Sequence, residues 1–239
     1  MAWPHSGTDW SYMLDEVEKC YHDIIAAITR WRTVILVSPD FSRAEEVLKD
    51  IPRDRLVTVT IPTNDTWTRD YGPICVETPE GIAALDYKFN GWGLKFAACL
   101  DNLVTMGLSD KGLLGCPRIN RLSFALEGGS IDCDGEGTLL TTSECLLSPN
   151  RNGSTSKEEI EATLKNDLGV ERIVWLNHGS LAGDDTDSHI DTLARFAPDA
   201  LVYAGCTDPS DVNYLPLLKM KEEIISLSQR GLLPSTLYE

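Results

Sequence analysis

An acidic segment in the C-terminal half of the chain contains the side-chain types that carry out proton transfer. Residues 184–191 read Asp-Asp-Thr-Asp-Ser-His-Ile-Asp. In an extended segment, residues two apart share a face, so His189 would project together with three aspartates. Three carboxylates around one imidazole favour its protonated form and make His189 a candidate general acid. The three aspartates are Asp185, Asp187 and Asp191.

Two other interpretations of the acidic segment stay open. Its side chains could hold a single divalent cation, or they could form a solvated acidic turn. An EF-hand calcium loop is excluded, because a loop starting at Asp185 would place Ile190 at the glycine position and Phe196 at the bidentate glutamate position.

A second segment, Trp67-Thr68-Arg69-Asp70-Tyr71-Gly72-Pro73, places an aromatic ring three residues before a carboxylate. A planar cation suits such a pair, because guanidinium stacks on an aromatic face and binds a carboxylate through two parallel hydrogen bonds. The alternative is that Asp70 pairs with Arg69 or caps the turn ahead of Gly72.

A third candidate is Glu127, which is followed by Gly128 and Gly129. Two glycines allow a ligand to approach the backbone closely, but they also permit a simple sharp bend. The three segments together supply carboxylates, a histidine and an aromatic ring, and each stands just before a predicted hairpin.

Strands and helices alternate along the chain, which predicts an α/β protein. Strands at 33–37 and 56–61 flank a helix at 41–49, and a longer amphipathic helix covers 10–32. Turn sequences predict three hairpins, and further helices are predicted at 157–168, before a strand at 172–176, and at 215–229. The hairpins pair 74–77 with 82–88, 130–133 with 138–142, and 193–196 with 201–204. Asp70, Glu127 and Asp191 lie 57 and 64 residues apart, which indicates a repeated unit.

The composition is that of a globular protein of 239 residues, which predicts one large domain over residues 1–239. With 21 basic and 37 acidic residues, the net charge of −16 argues against nucleic acid and anionic membrane surfaces as partners and favours a small cationic ligand. No apolar run reaches the length of a bilayer span, so a cytoplasmic location is expected. The seven cysteines form no C-x-x-C pair and are expected to be reduced thiols, with no metal cluster.

Several segments together carry a family resemblance. The patterns W-x-R-D-x-G-P at Trp67–Pro73 and D-D-T-D-x-H-I-D at Asp184–Asp191 are highly specific, and other matching segments occur in the same order along the chain. The sequence resembles the agmatine deiminase family, also called bacterial peptidylarginine-deiminase-like proteins. The other matching segments are Ala2–His5, Phe89–Gly93, Glu127–Ser130, Thr142–Asn152 and the continuation of the acidic segment to Phe196.

The resemblance implies a fold and a reaction. The implied fold is a pseudo-fivefold α/β propeller of ββαβ modules around a central site. In the implied reaction, a cysteine thiolate attacks the guanidinium carbon of agmatine, ammonia leaves, and water resolves the thiouronium to give N-carbamoylputrescine. No cofactor is implied.

The resemblance also implies roles for five residues of this sequence. His189 matches the catalytic histidine, and Glu127 matches the acidic residue that holds the guanidinium and assists proton transfer. Asp70 and Asp191 match the aspartates that bind the guanidinium, and Trp67 matches the aromatic wall beside it.

The sequence departs from the family pattern in two places. Ser188 stands where glycine commonly precedes the histidine, and the family's G-x-x-H-C-type nucleophile motif does not occur before Glu239. The chain is therefore expected to match about four of five modules and to lack deiminase activity by itself. It is also expected to self-associate, for example as a homo-oligomer. The alternatives are a guanidinium- or polyamine-binding protein without turnover, and a deiminase of arginine or peptidyl-arginine.

Overall fold

The computed structural model describes residues 1–239 and has a mixed α/β fold with four small sheets. The strands are β1 (Val34–Ser38), β2 (Leu56–Thr60), β3 (Ile74–Thr78), β4 (Gly81–Lys88), β5 (Arg118–Ala125), β6 (Ile131–Cys133), β7 (Thr138–Thr142), β8 (Arg172–Leu176), β9 (Ala194–Ala197), β10 (Ala200–Tyr203) and β11 (Thr236–Tyr238). The helices are α1 (Leu14–Thr29), α2 (Ser42–Val47), α3 (Thr68–Tyr71), α4 (Gly91–Leu94), α5 (Val104–Asp110), α6 (Ser143–Leu146), α7 (Pro149–Asn152), α8 (Lys157–Leu168), α9 (Ile190–Leu193) and α10 (Tyr214–Gln229).

The chain forms two compact units. The first comprises residues 1–86 and 97–120, and the second comprises 87–96 and 121–239. In the first unit β1 and β2 pair in parallel on either side of α2 in the chain, which confirms the predicted β-α-β arrangement. The apolar face of α1 packs on this sheet, where Ile25 and Leu36 are fully buried in one core with Trp3.

The three predicted hairpins are present. Antiparallel pairs join β3 to β4, β6 to β7, and β9 to β10. The turns contain the positive φ that their sequences predicted, at Gly81 in the first, at Gly135 and Gly137 in the second, and at Asp199 in the third. Local turn chemistry is therefore sufficient to fix these three connections.

Two sheets of the second unit share one arrangement. The sheets are ordered β6-β7-β8 and β9-β10-β11, and in each a hairpin is followed by a third strand parallel to the second. Helices α6, α7 and α8 precede β8, and α10 precedes β11. The residues buried between these sheets and α10 form one apolar core. Its members include Leu140, Val174, Leu176, Ile190, Leu201, Leu217, Met220 and Ile224.

Helix α8 shows why some boundaries could be read directly from the sequence. Ser156 accepts a hydrogen bond from the Glu159 backbone N–H, and the Glu159 carboxylate accepts one from the Ser156 backbone N–H. Gly169 ends the helix in the left-handed conformation. The predicted range 157–168 is that of the helix.

Strands β5 and β11 were not predicted from the sequence. The sheet order β3-β4-β5 places β5 beside β4, and β11 is a three-residue strand parallel to β10. No helix in this structure combines the length and the apolar character that a membrane span requires. The single domain predicted over residues 1–239 stays a prediction.

Candidate active site

The second unit brings two of the predicted site residues together. Glu127 is completely buried and His189 is 2% exposed. The imidazole Nε2 of His189 lies 3.7 Å from Oε2 of Glu127. A carboxylate and an imidazole at this separation form a buried pair that can exchange or share a proton with a ligand.

Glu127 is fixed by the backbone that follows β5. Its carbonyl oxygen accepts hydrogen bonds from the backbone N–H of Ser130, at 3.1 Å, and from the Ser130 hydroxyl, at 2.6 Å. These bonds close a short 3₁₀ turn over Gly128–Ser130, which is buried. The two glycines therefore serve a tight turn, and the turn directs the Glu127 side chain inward.

The charges near Glu127 favour its ionised form. Burial by itself raises the pKa of this carboxyl, but the neighbouring His189 and the guanidinium of Arg151 outweigh that effect and hold the pKa below its usual value. Nε of Arg151 donates to Oε2 at 2.8 Å and to Oε1 at 3.1 Å. Glu127 is therefore a buried carboxylate that stays charged near neutral pH.

The acidic segment does not have the predicted extended geometry. Asp187 and Ser188 both adopt positive φ, at 63° and 62°, and Asp191 lies in the first turn of the short helix α9. Alternation of faces requires a continuous extended backbone, so the predicted face shared by His189 and three aspartates is wrong. Asp187 instead pairs with cationic side chains, and the carboxylate beside His189 is that of Glu127.

Asp191 lies in the first turn of α9, two residues after His189, and is partly exposed. His189 itself precedes the helix, and its backbone N–H donates to the Thr186 hydroxyl at 3.1 Å. The guanidinium-binding role predicted for Asp191 stays a prediction.

A buried thiol also belongs to this region. The Sγ of Cys145 lies within 4.8 Å of ligand atoms of both Glu127 and His189. Cys145 follows the second predicted hairpin, 44 residues before His189, so its sequence position predicts a place away from the acidic segment, and that prediction is wrong. Short helix α6, which begins after the capping residue Thr142, turns the thiol inward.

Glu127, Cys145 and His189 are of types that bind zinc. Both carboxylate oxygens of Glu127, however, already accept hydrogen bonds from Arg151. A metal ion bound to this carboxylate would have to compete with those hydrogen bonds, which favours proton transfer over metal binding as the use of this cluster.

Asp70 and Trp67 lie in the first unit, at the start of α3. Asp70 is 8% exposed, and its backbone N–H donates to the Trp67 carbonyl at 2.9 Å. The ring of Trp67 is 39% exposed and lies against Trp10, with the ring centroids 5.8 Å apart. The unit thus presents a partly exposed aromatic surface three residues from a buried carboxylate.

A reciprocal set of hydrogen bonds holds the segment before Trp67. The side chain of Asp101 accepts from the backbone N–H of Asn64 at 2.7 Å, and the Asn64 side chain accepts from the Leu100 N–H at 2.7 Å. Burial raises the pKa of Asp101 to about 6. The approach to Trp67 is therefore pinned by a carboxyl that is itself buried.

One member of the site was missed by sequence reasoning. The sequence of Leu146–Asn152, LLSPNRN, is typical of a polar loop, but most of the segment lies in the short helices α6 and α7, and Arg151 is buried. Its side chain reaches Glu127. The one available signal was that this segment lies within Thr142–Asn152, a stretch matching the family pattern.

Comparison with known proteins identifies the family of the chain. The model of the Porphyromonas-type peptidyl-arginine deiminase family matches residues 1–233. The chain belongs to this family. Among family relatives, the agmatine deiminases of Medicago truncatula and Stutzerimonas stutzeri are each 36% identical to the chain, over 95% and 90% of its length, and are matched over 62% and 59% of their own.

Solved structures show the same fold. The chain superposes on a C. jejuni agmatine deiminase variant, solved with substrate bound, with a TM-score of 0.87 and 40% identity, covering all of this chain and 68% of that one. An agmatine deiminase of Enterococcus faecalis gives a TM-score of 0.84 at 28% identity, covering 99% of this chain and 66% of that chain. The chain spans less than two thirds of the length of the curated relatives described above.

Proposed function

We propose that this chain carries the proton-transfer and guanidinium-binding residues of an agmatine deiminase-type hydrolase. The observation that supports the proposal most strongly is the buried pair of Glu127 and His189, 3.7 Å apart, in a member of this family. Relatives and structural neighbours named agmatine deiminase support a guanidino compound as the substrate.

In the proposed reaction, His189 donates a proton in the first step and accepts one in the second. A cysteine thiolate adds to the guanidinium carbon, and protonated His189 gives its proton to the departing nitrogen, so that the C–N bond breaks and ammonia leaves. Neutral His189 then takes a proton from water as the hydroxide adds to the thiouronium carbon. The C–S bond breaks, which regenerates the thiolate, and the hydroxyl proton passes to the released ammonia or to solvent, which leaves the neutral ureido product.

The carboxylates have a separate role in the proposal. In the second unit, Glu127 and Asp191 orient the planar cation and balance its charge. In the first unit, Asp70 and Trp67 offer a carboxylate and an aromatic surface that suit a guanidinium. The net charge of −16 favours the approach of a doubly cationic ligand such as agmatine.

The proposal extends to the architecture. We infer that the recurring hairpin, helix and parallel strand are ββαβ modules of a pseudo-fivefold propeller. The shared arrangement of β6-β7-β8 and β9-β10-β11 supports this inference.

The proposal includes the expectation that none of the seven cysteines is the nucleophile. Cys145 is near His189, but no cysteine of the sequence stands in a G-x-x-H-C context. A thiol must be activated to its thiolate to attack a substrate carbon. The purified 239-residue chain is therefore expected to form no ureido product from agmatine.

The measurement is a colorimetric assay for ureido product, together with ammonia release, on the reduced chain. Each cysteine is also replaced in turn by serine. Turnover that disappears in one of these variants, such as Cys145→Ser, would show that the nucleophile lies among the seven.

A further inference from the structure

The buried side chain of Arg151 forms hydrogen bonds with three residues of the candidate site, and no role was predicted for it from the sequence. Its side chain has no exposed surface. Nε donates to both oxygens of Glu127, Nη1 donates to Oδ2 of Asp187 at 2.7 Å, and Nη2 donates to the carbonyl oxygen of Thr186 at 2.7 Å. One guanidinium therefore joins Glu127 to the turn that precedes His189.

The backbone of Arg151 is held independently of its side chain. In α7, the Asn152 side chain pairs with the backbone of Ala125, accepting from its N–H at 2.8 Å and donating to its carbonyl at 3.0 Å. The carbonyl of Asn150 accepts from the Asn90 side chain at 2.9 Å. Ala125 is two residues before Glu127, so α7 is fastened to the same backbone that carries the carboxylate.

The turn that Arg151 contacts is conformationally costly. Asp187 and Ser188 both occupy the left-handed region, which is unfavourable for residues other than glycine. Lys95 adds a second cation to Asp187, and the Ser188 hydroxyl donates to Glu144 at 2.9 Å. Burial by itself raises the pKa of Asp187, but Lys95 and Arg151 lower it by more, so the net pKa is below its usual value. The turn therefore keeps an ionised carboxylate.

The charge on Arg151 is secured by the same neighbours. Burial alone lowers the pKa of the guanidinium, but Cys145 and Glu127 raise it by more, and the net direction is upward. The groups facing Glu127 are thus Arg151, His189 and Cys145.

We propose that Arg151 is a positioning residue: its fork fixes the Glu127 carboxylate and the Thr186–Ser188 turn together, and so sets the separation of Glu127 and His189. This inference rests on the proposed function for its catalytic consequence. Arg151 does not itself need to contact the substrate. The planar guanidinium suits the task because its donors reach three partners in fixed directions, which a lysine ammonium cannot do.

The inference is tested by a measurement on Glu127 itself, in the absence of substrate. Carbon-13 labelling of the glutamate side chains allows the Glu127 carboxyl to be titrated by NMR in the 239-residue chain. In Arg151→Met the buried carboxyl loses its cation, and we expect its titration midpoint to rise by about one pH unit or more. Lys95→Met is the matched control: it removes one cation from Asp187 but none from Glu127, and the midpoint should stay in place.

Arg151→Lys separates position from charge. We expect this variant to fold, to keep the Glu127 midpoint low, and to shift the His189 imidazole resonances because the turn is no longer held. Agmatine affinity should fall about tenfold, as expected for a displaced carboxylate.

An unchanged Glu127 midpoint in folded Arg151→Met would overturn the inference. If Arg151→Met does not fold, unchanged His189 imidazole resonances in Arg151→Lys would overturn it. A chain that shows these shifts but does not bind agmatine would support the positioning role and contradict the proposed function.

Discussion

Replacing Glu127 with leucine is expected to lower the free energy of unfolding by about 3–5 kcal/mol. The side chain of Arg151 is fully buried, and Glu127 is the partner that accepts from its Nε. Leucine fills a similar volume but removes the fully buried carboxylate partner of Arg151 and leaves the partly exposed Asp187 as its other carboxylate partner. The cost comes mainly from this lost counter-charge, not from loss of packing.

The prediction is checked by urea unfolding of three variants beside the unmodified chain. Glu46→Gln removes the partner of Lys49 in an exposed ion pair and should cost at most about 1 kcal/mol. The double variant Glu127→Leu/Arg151→Met should recover much of the loss, because it removes both buried charges. Equal, small losses for Glu127→Leu and Glu46→Gln would contradict the account of a buried ion pair.

Asp70→Asn should have the largest effect on ligand binding. A charge-assisted hydrogen bond to guanidinium is worth about 1.5–3 kcal/mol, so we expect the Kd for agmatine to rise about 10- to 150-fold. Asparagine keeps the size of the side chain but loses the charge. The low exposure of Asp70 limits screening of that charge by solvent.

The matched control is Asp54→Asn, which makes the same change in net charge on an exposed aspartate of the same unit. Calorimetric titration with agmatine should show a near-normal Kd for this control. If the two variants bind agmatine equally well, Asp70 is not a ligand-binding residue, and the loss of general negative potential explains any effect.

The elements that could be predicted are those fixed by local sequence. The hairpin turns and helix α8 carry their own signals in Gly135, in Gly81 and in the capping pair Ser156 and Glu159. The bounds of α8 and β8 match the prediction for the same reason. Tertiary packing stabilises these elements without changing their bounds.

The parts of the site that could not be predicted depend on contacts distant in the sequence. No glycine marks the reversal at Asp187 and Ser188, and the turn is stable because charges on Arg151 and Lys95 hold it. Likewise, nothing in the polar segment around Arg151 indicates that this arginine is buried in an ion pair with Glu127, 24 residues earlier. Residue types identified the chemistry, but only the fold shows which carboxylate accompanies His189.

The central claim, that this chain recognises a guanidinium group, is tested most directly by comparing agmatine with putrescine in calorimetric titrations of the 239-residue chain. The two ligands share the four-carbon chain and differ in that a guanidinium replaces one ammonium. We predict saturable binding of agmatine at one site, at least about tenfold tighter than that of putrescine, because only the planar group forms parallel hydrogen bonds with a carboxylate. Equal affinity for the two ligands, or no saturable binding of agmatine, would contradict the account.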